Sequence, residues 1–90
     1  MNPYVIHKYR LKLEDYPLVE MPIGAEVLHV GMQYGHLHVW ARVDPTLEKK
    51  TRHFAVRGTG HANCPAANKH IGTVVDGSFI WHVFDLEVTT

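Results

Sequence analysis

Three groupings of residues in the chain could do chemistry: His36 and His38; His61, Cys64 and His70; and the turn Gly58-Thr59-Gly60-His61. Residues i and i+2 of a strand face the same way, so His36 and His38 can aim both rings at one ion, with His29 close by across a hairpin. A solvated polar sheet face explains the same pair without a metal. His61, Cys64 and His70 offer a thiolate and two imidazoles, which suit zinc. Structural zinc, however, takes four ligands and usually shows paired spacing, and no second pair is present. A mobile loop with an incidental thiol is the simpler account. These five residues are therefore metal candidates only, and no metal is assigned. Cys64 and His61 could also act as nucleophile and base, but nothing in the sequence orients His61 for that task. No catalytic residue, no cofactor and no enzyme activity are expected.

The third grouping supplies most of the expected ligand-binding residues. Two glycines flanking a hydroxyl let backbone amides approach an anion closely. The turn is no P-loop, since it lacks a Gly-Lys-Ser/Thr and a following helix. Trp40, Trp81 and Tyr34 with Arg42, Arg52 and Arg57 form a further grouping: arginines and aromatic side chains together favour recognition surfaces and stack on bases, while core packing explains at least one tryptophan more simply. The expected ligand-binding set is Gly58, Thr59, Gly60 and His61 with Trp40 and Arg57. A plain bulge and turn between two sheets is the alternative.

The elements that must position these residues are strands. From Glu26 to Val43 the chain alternates apolar and polar residues on both sides of Tyr34-Gly35, the pattern of a β-hairpin. Gly35 suits the positive φ of a two-residue turn; Tyr34 suits it badly. Closing the hairpin there sets Met32 opposite Leu37, Val30 opposite Val39 and Leu28 opposite Ala41, an apolar face. The other face pairs Gln33 with His36, Gly31 with His38, His29 with Trp40 and Val27 with Arg42. Residues 4–13 alternate as well. Leu18–Met21, bracketed by Pro17 and Pro22, reads as a short edge strand. Asp44-Pro45 favours a turn, and Leu47–Lys50 reads as a loop or one helical turn. Thr51–Arg57 is a strand with Phe54 and Val56 inward, and residues 61–69 form the longest loop. His70–Val75 and Ser78–Val88 flank the turn signal Asp76-Gly77. The last of these strands is apolar on both faces, which suits a central strand or an interface. The chain thus reads as one all-β domain, residues 1–90: a small antiparallel sandwich or partly open barrel of six or seven strands.

Composition narrows the function classes. At 90 residues the core is thin, with about 60–65% of the unfolded surface buried, and assembly into a homo-oligomer is a common remedy. Nine basic and nine acidic residues cancel, which argues against backbone-driven or sequence-specific nucleic-acid binding. A single cysteine excludes an internal disulfide, as suits a reducing compartment. The N-terminal residues contain no apolar run long enough for a signal peptide or a membrane span. A soluble intracellular chain is expected.

Met21-Pro22-x-Gly24-Ala25, Trp40-Ala41-x-Val43-Asp44-Pro45, Gly58-Thr59-Gly60-His61 and Trp81-His82-Val83-Phe84, in this order, resemble an uncharacterised family of small proteins encoded by tailed bacteriophages and prophages. The resemblance runs from about Tyr9 to Leu86. Members often carry other residues at the positions of His36 and His38, and an Asn-Gly turn at Tyr34-Gly35. The family has no assigned activity, so no site residue is transferred. The resemblance implies a setting: a phage accessory protein in the host cytoplasm. Such proteins often work by binding. The expectation is a non-enzymatic protein that counters a host defence system, by sequestering a nucleotide second messenger or by binding a host defence protein. A structural or virion-associated module, or a metal-binding one, is the alternative.

Overall fold

The computed structural model describes residues 2–66 and 68–89. Ala67, inside the predicted loop, lies outside the described residues. Seven antiparallel strands form two sheets that do not close into a barrel. They are β1 (Val5–Arg10), β2 (Leu18–Pro22), β3 (Glu26–Gln33), β4 (His36–Val43), β5 (Lys49–Gly58), β6 (Asn68–Asp76) and β7 (Phe79–Thr89). One sheet has the order β1-β4-β3 and the other β2-β5-β7-β6. β2 is an edge strand, as its prolines require, and β7 is central, as its two apolar faces require.

The hairpin closes at Tyr34-Gly35 with φ of 52° and 75°. Positive φ at both positions is the type I′ pattern, whose twist matches that of the flanking strands. Tyr34 accepts a conformation that disfavours its Cβ because the register on either side is strongly specified. Met32 lies opposite Leu37 and Val30 opposite Val39, as alternation predicts. Beyond His29 the prediction fails. A bulge at Leu28 sets Val27, not Leu28, opposite Ala41, and Glu26, not Val27, opposite Arg42. Val27 is then buried, while Leu28 is left 41% exposed. Two adjacent apolar residues hide such a bulge from a period-two count. The shifted register also lets Arg42 reach Glu26 at 2.6 Å.

The core lies between the sheets. Val27, Val30, Val39 and Ala41 meet Phe54, Val56, Val74 and Val83 there. A Cβ on Gly72 would stand 2.9 Å from Val30 Cγ1, so this glycine sets how closely β6 approaches β3. Arg52 and Asp85 are buried at one end of the sandwich. Arg52 Nη2 donates to Asp85 Oδ2 at 2.8 Å and Nη1 donates to the Ala25 carbonyl at 2.7 Å. The pair therefore ties the larger sheet to the start of β3.

Several boundaries differ from the sequence expectation. β1 ends at Arg10, β5 begins at Lys49 and takes in the second half of the predicted turn, β6 begins at Asn68 inside the predicted loop, and the last hairpin turns on Gly77-Ser78, with Asp76 opposite Phe79. Among the described residues, no helix is long and apolar enough to cross a membrane.

Candidate functional site

The outward face of the larger sheet carries a cleft of about 340 Å³ lined by Arg57, His61, Cys64, His70, His82 and Phe84, among others. It is built from the end of β5, the turn that follows, and the facing residues of β6 and β7.

The turn has a specific local cause. The Gly58 carbonyl accepts from the His61 N–H at 3.1 Å, and Gly60 has φ of 86°. A glycine with φ near +80° at the third position is the mark of a type II turn. Gly58 is needed for a different reason. The His61 ring folds back over it, and a Cβ there would lie 2.7 Å from His61 Cε1. The Gly58 N–H donates to His61 Nδ1 at 3.1 Å. Nδ1 is thus an acceptor, and the neutral ring carries its proton on Nε2.

A second network crosses the sheet. His82 on β7 meets a hydroxyl at each ring nitrogen: Thr59 Oγ1 at 2.8 Å from Nε2 and Thr73 Oγ1 at 2.9 Å from Nδ1. Thr73 Oγ1 also lies 3.3 Å from His70 Nε2. A hydroxyl donates one proton, so Thr73 can donate to one ring while accepting from the other. The network can run in either direction.

Arg57 organises the surrounding loops. Nε donates to the Asn63 carbonyl at 3.1 Å, and Nη1 donates to the carbonyls of Asp15 and Val56, each at 2.9 Å. The guanidinium stacks 4.6 Å from the centre of the Tyr16 ring. Asn63 itself has φ of 64°, a left-handed conformation that Asn tolerates better than most residues.

On the other side of the same turn lies a hollow of about 260 Å³, lined by Gly58, Thr59, His61, Phe79, Ile80 and Trp81 among others. Phe79 and Trp81 are stacked, with ring centres 5.6 Å apart and planes 13° from parallel. His61 meets Trp81 edge-on at 6.4 Å. The buried indole N–H of Trp81 has no hydrogen-bond partner among the described residues. Gly58, Thr59 and His61 are therefore shared between a lobe of imidazoles and hydroxyls and a lobe of aromatic rings.

Of the predicted ligand residues, the structure brings Arg57, Gly58, Thr59, Gly60 and His61 to one cleft. Trp40 is not among them. It lies on β4 in the smaller sheet, with ring centres 5.6 Å from His29 and 6.0 Å from His38. His38 is buried and bonds through Nδ1 to the His36 carbonyl at 2.8 Å, so its ring turns back on the strand. His36 lines a separate hollow at the hairpin tip, with Met32 and Asp76. His61, Cys64 and His70 do share the cleft. Among the described residues, however, no three His, Cys, Asp or Glu side chains gather closely enough to hold a metal ion.

Alternation alone did not place His82, Thr73 and Phe84 in the site. His70 and Thr73 are three residues apart, a spacing that points to opposite faces of a regular strand. A register shift between His70 and Gly72 turns them to the same face, opposite Phe84 and His82. The sequence does carry one signal: His82 and Phe84 are i and i+2 on β7.

Fold and cleft together define a two-sheet antiparallel β protein with a bipartite surface pocket. The chain belongs to the family described as Domain of unknown function (DUF7352), whose model matches residues 3–90. No curated protein and no solved structure matches the chain.

Proposed function

We propose that this is a non-enzymatic binding protein that holds a small ligand in the bipartite cleft, and that the ligand is a nucleotide signal. The carrying observation is the division of the pocket by the Gly58–His61 turn. On one side stand Arg57, His61, His70 and His82; on the other, the stacked Phe79 and Trp81. A nucleotide has the same two-part chemistry, an anionic group and a flat ring that stacks on aromatic side chains. The resemblance of its short motifs, in order, to those of small tailed-phage and prophage proteins supports a phage origin and action in the host cytoplasm. Sequestering a host signal would blunt the defence that depends on it.

The test is native mass spectrometry of the protein purified from defence-expressing cells. A retained nucleotide, lost on denaturation, is the expected result. Protein that carries no small molecule from such cells contradicts the nucleotide reading.

A second reading, a protein partner or a further copy of this chain, draws on β1. This edge strand and its approach leave Tyr4, Val5 and Ile6 exposed by 56%, 40% and 61%. Open strand edges pair readily with other chains. Light scattering of the purified protein and mass spectrometry of purified virions separate self-assembly from a place in the particle.

A further inference from the structure

Among the described residues, the cleft holds one fixed charge, and that charge has no counter-ion. Arg57 is only 6% exposed. A buried guanidinium is ordinarily paired with a carboxylate, because leaving it alone in a low-dielectric setting is costly. Ion pairs among the described residues are Arg42–Glu26, Arg52–Asp85 and His53–Glu87, and none includes Arg57. Its Nε and Nη1 are held by carbonyl oxygens, which carry dipoles but no net charge. Its Nη2 has no hydrogen-bond partner among the described residues and is not among their buried unpartnered atoms, so it reaches the surface. The residues lining the cleft include one guanidinium, three imidazoles and no carboxylate.

A second donor stands in the same cleft for an independent reason. The Gly58 N–H occupies His61 Nδ1, which leaves Nε2–H free to donate. The two central amides of the turn, on Thr59 and Gly60, have no main-chain acceptor among the described residues, and successive free amides favour anions.

We propose that Arg57 Nη2 and His61 Nε2–H form the seat of a phosphate group, so that the ligand is a phosphate ester carrying a flat ring. This deepens the nucleotide reading above and rests on it. Arg57 has a double task. Nε and Nη1 fasten the segments at Asp15 and Asn63, and the remaining edge of the guanidinium faces the ligand. Planar guanidinium geometry suits phosphate oxygens. His82 and His70, tied into the Thr59–Thr73 hydroxyl network, form the floor beside the seat.

The two tryptophans supply a reporter and a control. Trp81 lines the aromatic lobe, whereas Trp40 lies on the other sheet. The experiment is a proton–nitrogen NMR titration of the full chain at constant ionic strength. The probes are adenosine 5′-monophosphate, adenosine and inorganic phosphate, each at millimolar concentration. The monophosphate is expected to move the Trp81 indole and the Gly58–His61 amides and to leave the Trp40 indole in place. Inorganic phosphate is expected to move the turn amides alone. Adenosine is expected to bind more weakly than the monophosphate by roughly tenfold or more, the scale of a hydrogen bond to a charged group. Arg57→Gln should remove that difference, and His61→Ala, which leaves the three carbonyl bonds of Arg57 intact, should reduce it by roughly tenfold.

Equal binding of adenosine and its monophosphate overturns the phosphate seat but leaves a ring-binding cleft standing. So does unchanged monophosphate binding by a folded His61→Ala protein. Turn amides that respond to neither phosphate probe also overturn the seat. None of these results touches whether the protein retains a small molecule from cells, so the two proposals fail separately.

Discussion

Strand β5 carries two buried arginines, and they live differently. Arg52 faces inward at one end of the strand and meets Asp85 at 2.8 Å, with the carboxylate itself only 1% exposed. A hollow of about 300 Å³ lies beside it, lined by Met21, Ile23, Lys50 and Glu87 among others. The acidic groups of this region already have partners: Asp85 has Arg52, and Glu87 has His53 at 2.5 Å. Arg57 faces outward at the other end, equally buried, with three carbonyls and a tyrosine ring but no carboxylate. The hollows are of similar size, so volume does not separate them. Pairing does. A charge paired with a carboxylate holds a fold together, even with Arg52 Nε left without an acceptor among the described residues, whereas one without a counter-ion at a surface cleft is available to a ligand.

Substitutions at the two ends should therefore differ in kind. The largest effect is expected from Asp85→Ala, which strands Arg52 in the core. Breaking a buried pair on one side costs about 3–5 kcal/mol, measurable as a lower midpoint in urea unfolding. A loss below about 1 kcal/mol would mean that the Arg52–Asp85 pair does not tie the larger sheet to the start of β3.

At the other end, Gly58→Ala should leave stability within about 1 kcal/mol of the parent. The added methyl meets the end of the His61 side chain, which can swing aside, and not backbone. The His61 ring should nevertheless lose its bond from the Gly58 N–H, visible as a changed Nδ1 shift in nitrogen NMR. Strong destabilisation with an unmoved ring would assign the turn to the scaffold and not to the site.

The smallest effect concerns pH. The hydrogen bond from the His53 side chain, aided by its backbone N–H, lowers the pKa of Glu87 below the ordinary carboxylate value. A lowered folded-state pKa means that the stabilisation is complete above the unfolded value of about 4.5 and fades as pH falls through the lower folded one. The carboxylate titration of Glu87, followed by carbon NMR, should move up in His53→Ala. No movement would remove His53 as the cause.

Much of the scaffold was legible in the sequence because alternation is a local signal. The Tyr34-Gly35 turn, the edge position of β2 between its prolines and the central position of β7 all followed from residue types and spacing. What escaped was every register shift. The bulge at Leu28 follows two adjacent apolar residues, which a two-residue period cannot order. The shift between His70 and Gly72 brought Thr73 beside His70, a contact that i and i+3 on a strand would forbid. The site was half visible for the same reason. Gly58–His61 and Arg57 are nearly contiguous, so their glycines and charge could be read together. His82 and Thr73 join them only through the pairing of β6 with β7, which depends on tertiary structure. Trp40 was drawn in by residue type alone, and type says nothing about which sheet a residue occupies.

The most direct measurement is a crystal structure of the protein grown with adenosine 5′-monophosphate. A phosphate oxygen is expected at about 2.7–2.9 Å from Arg57 Nη2, with His61 Nε2 donating to the same group and the ring lying toward Phe79 and Trp81. A nucleotide seated instead in the hollow beside Arg52, or an Arg57 found bonded to a carboxylate of its own chain, would contradict this placement.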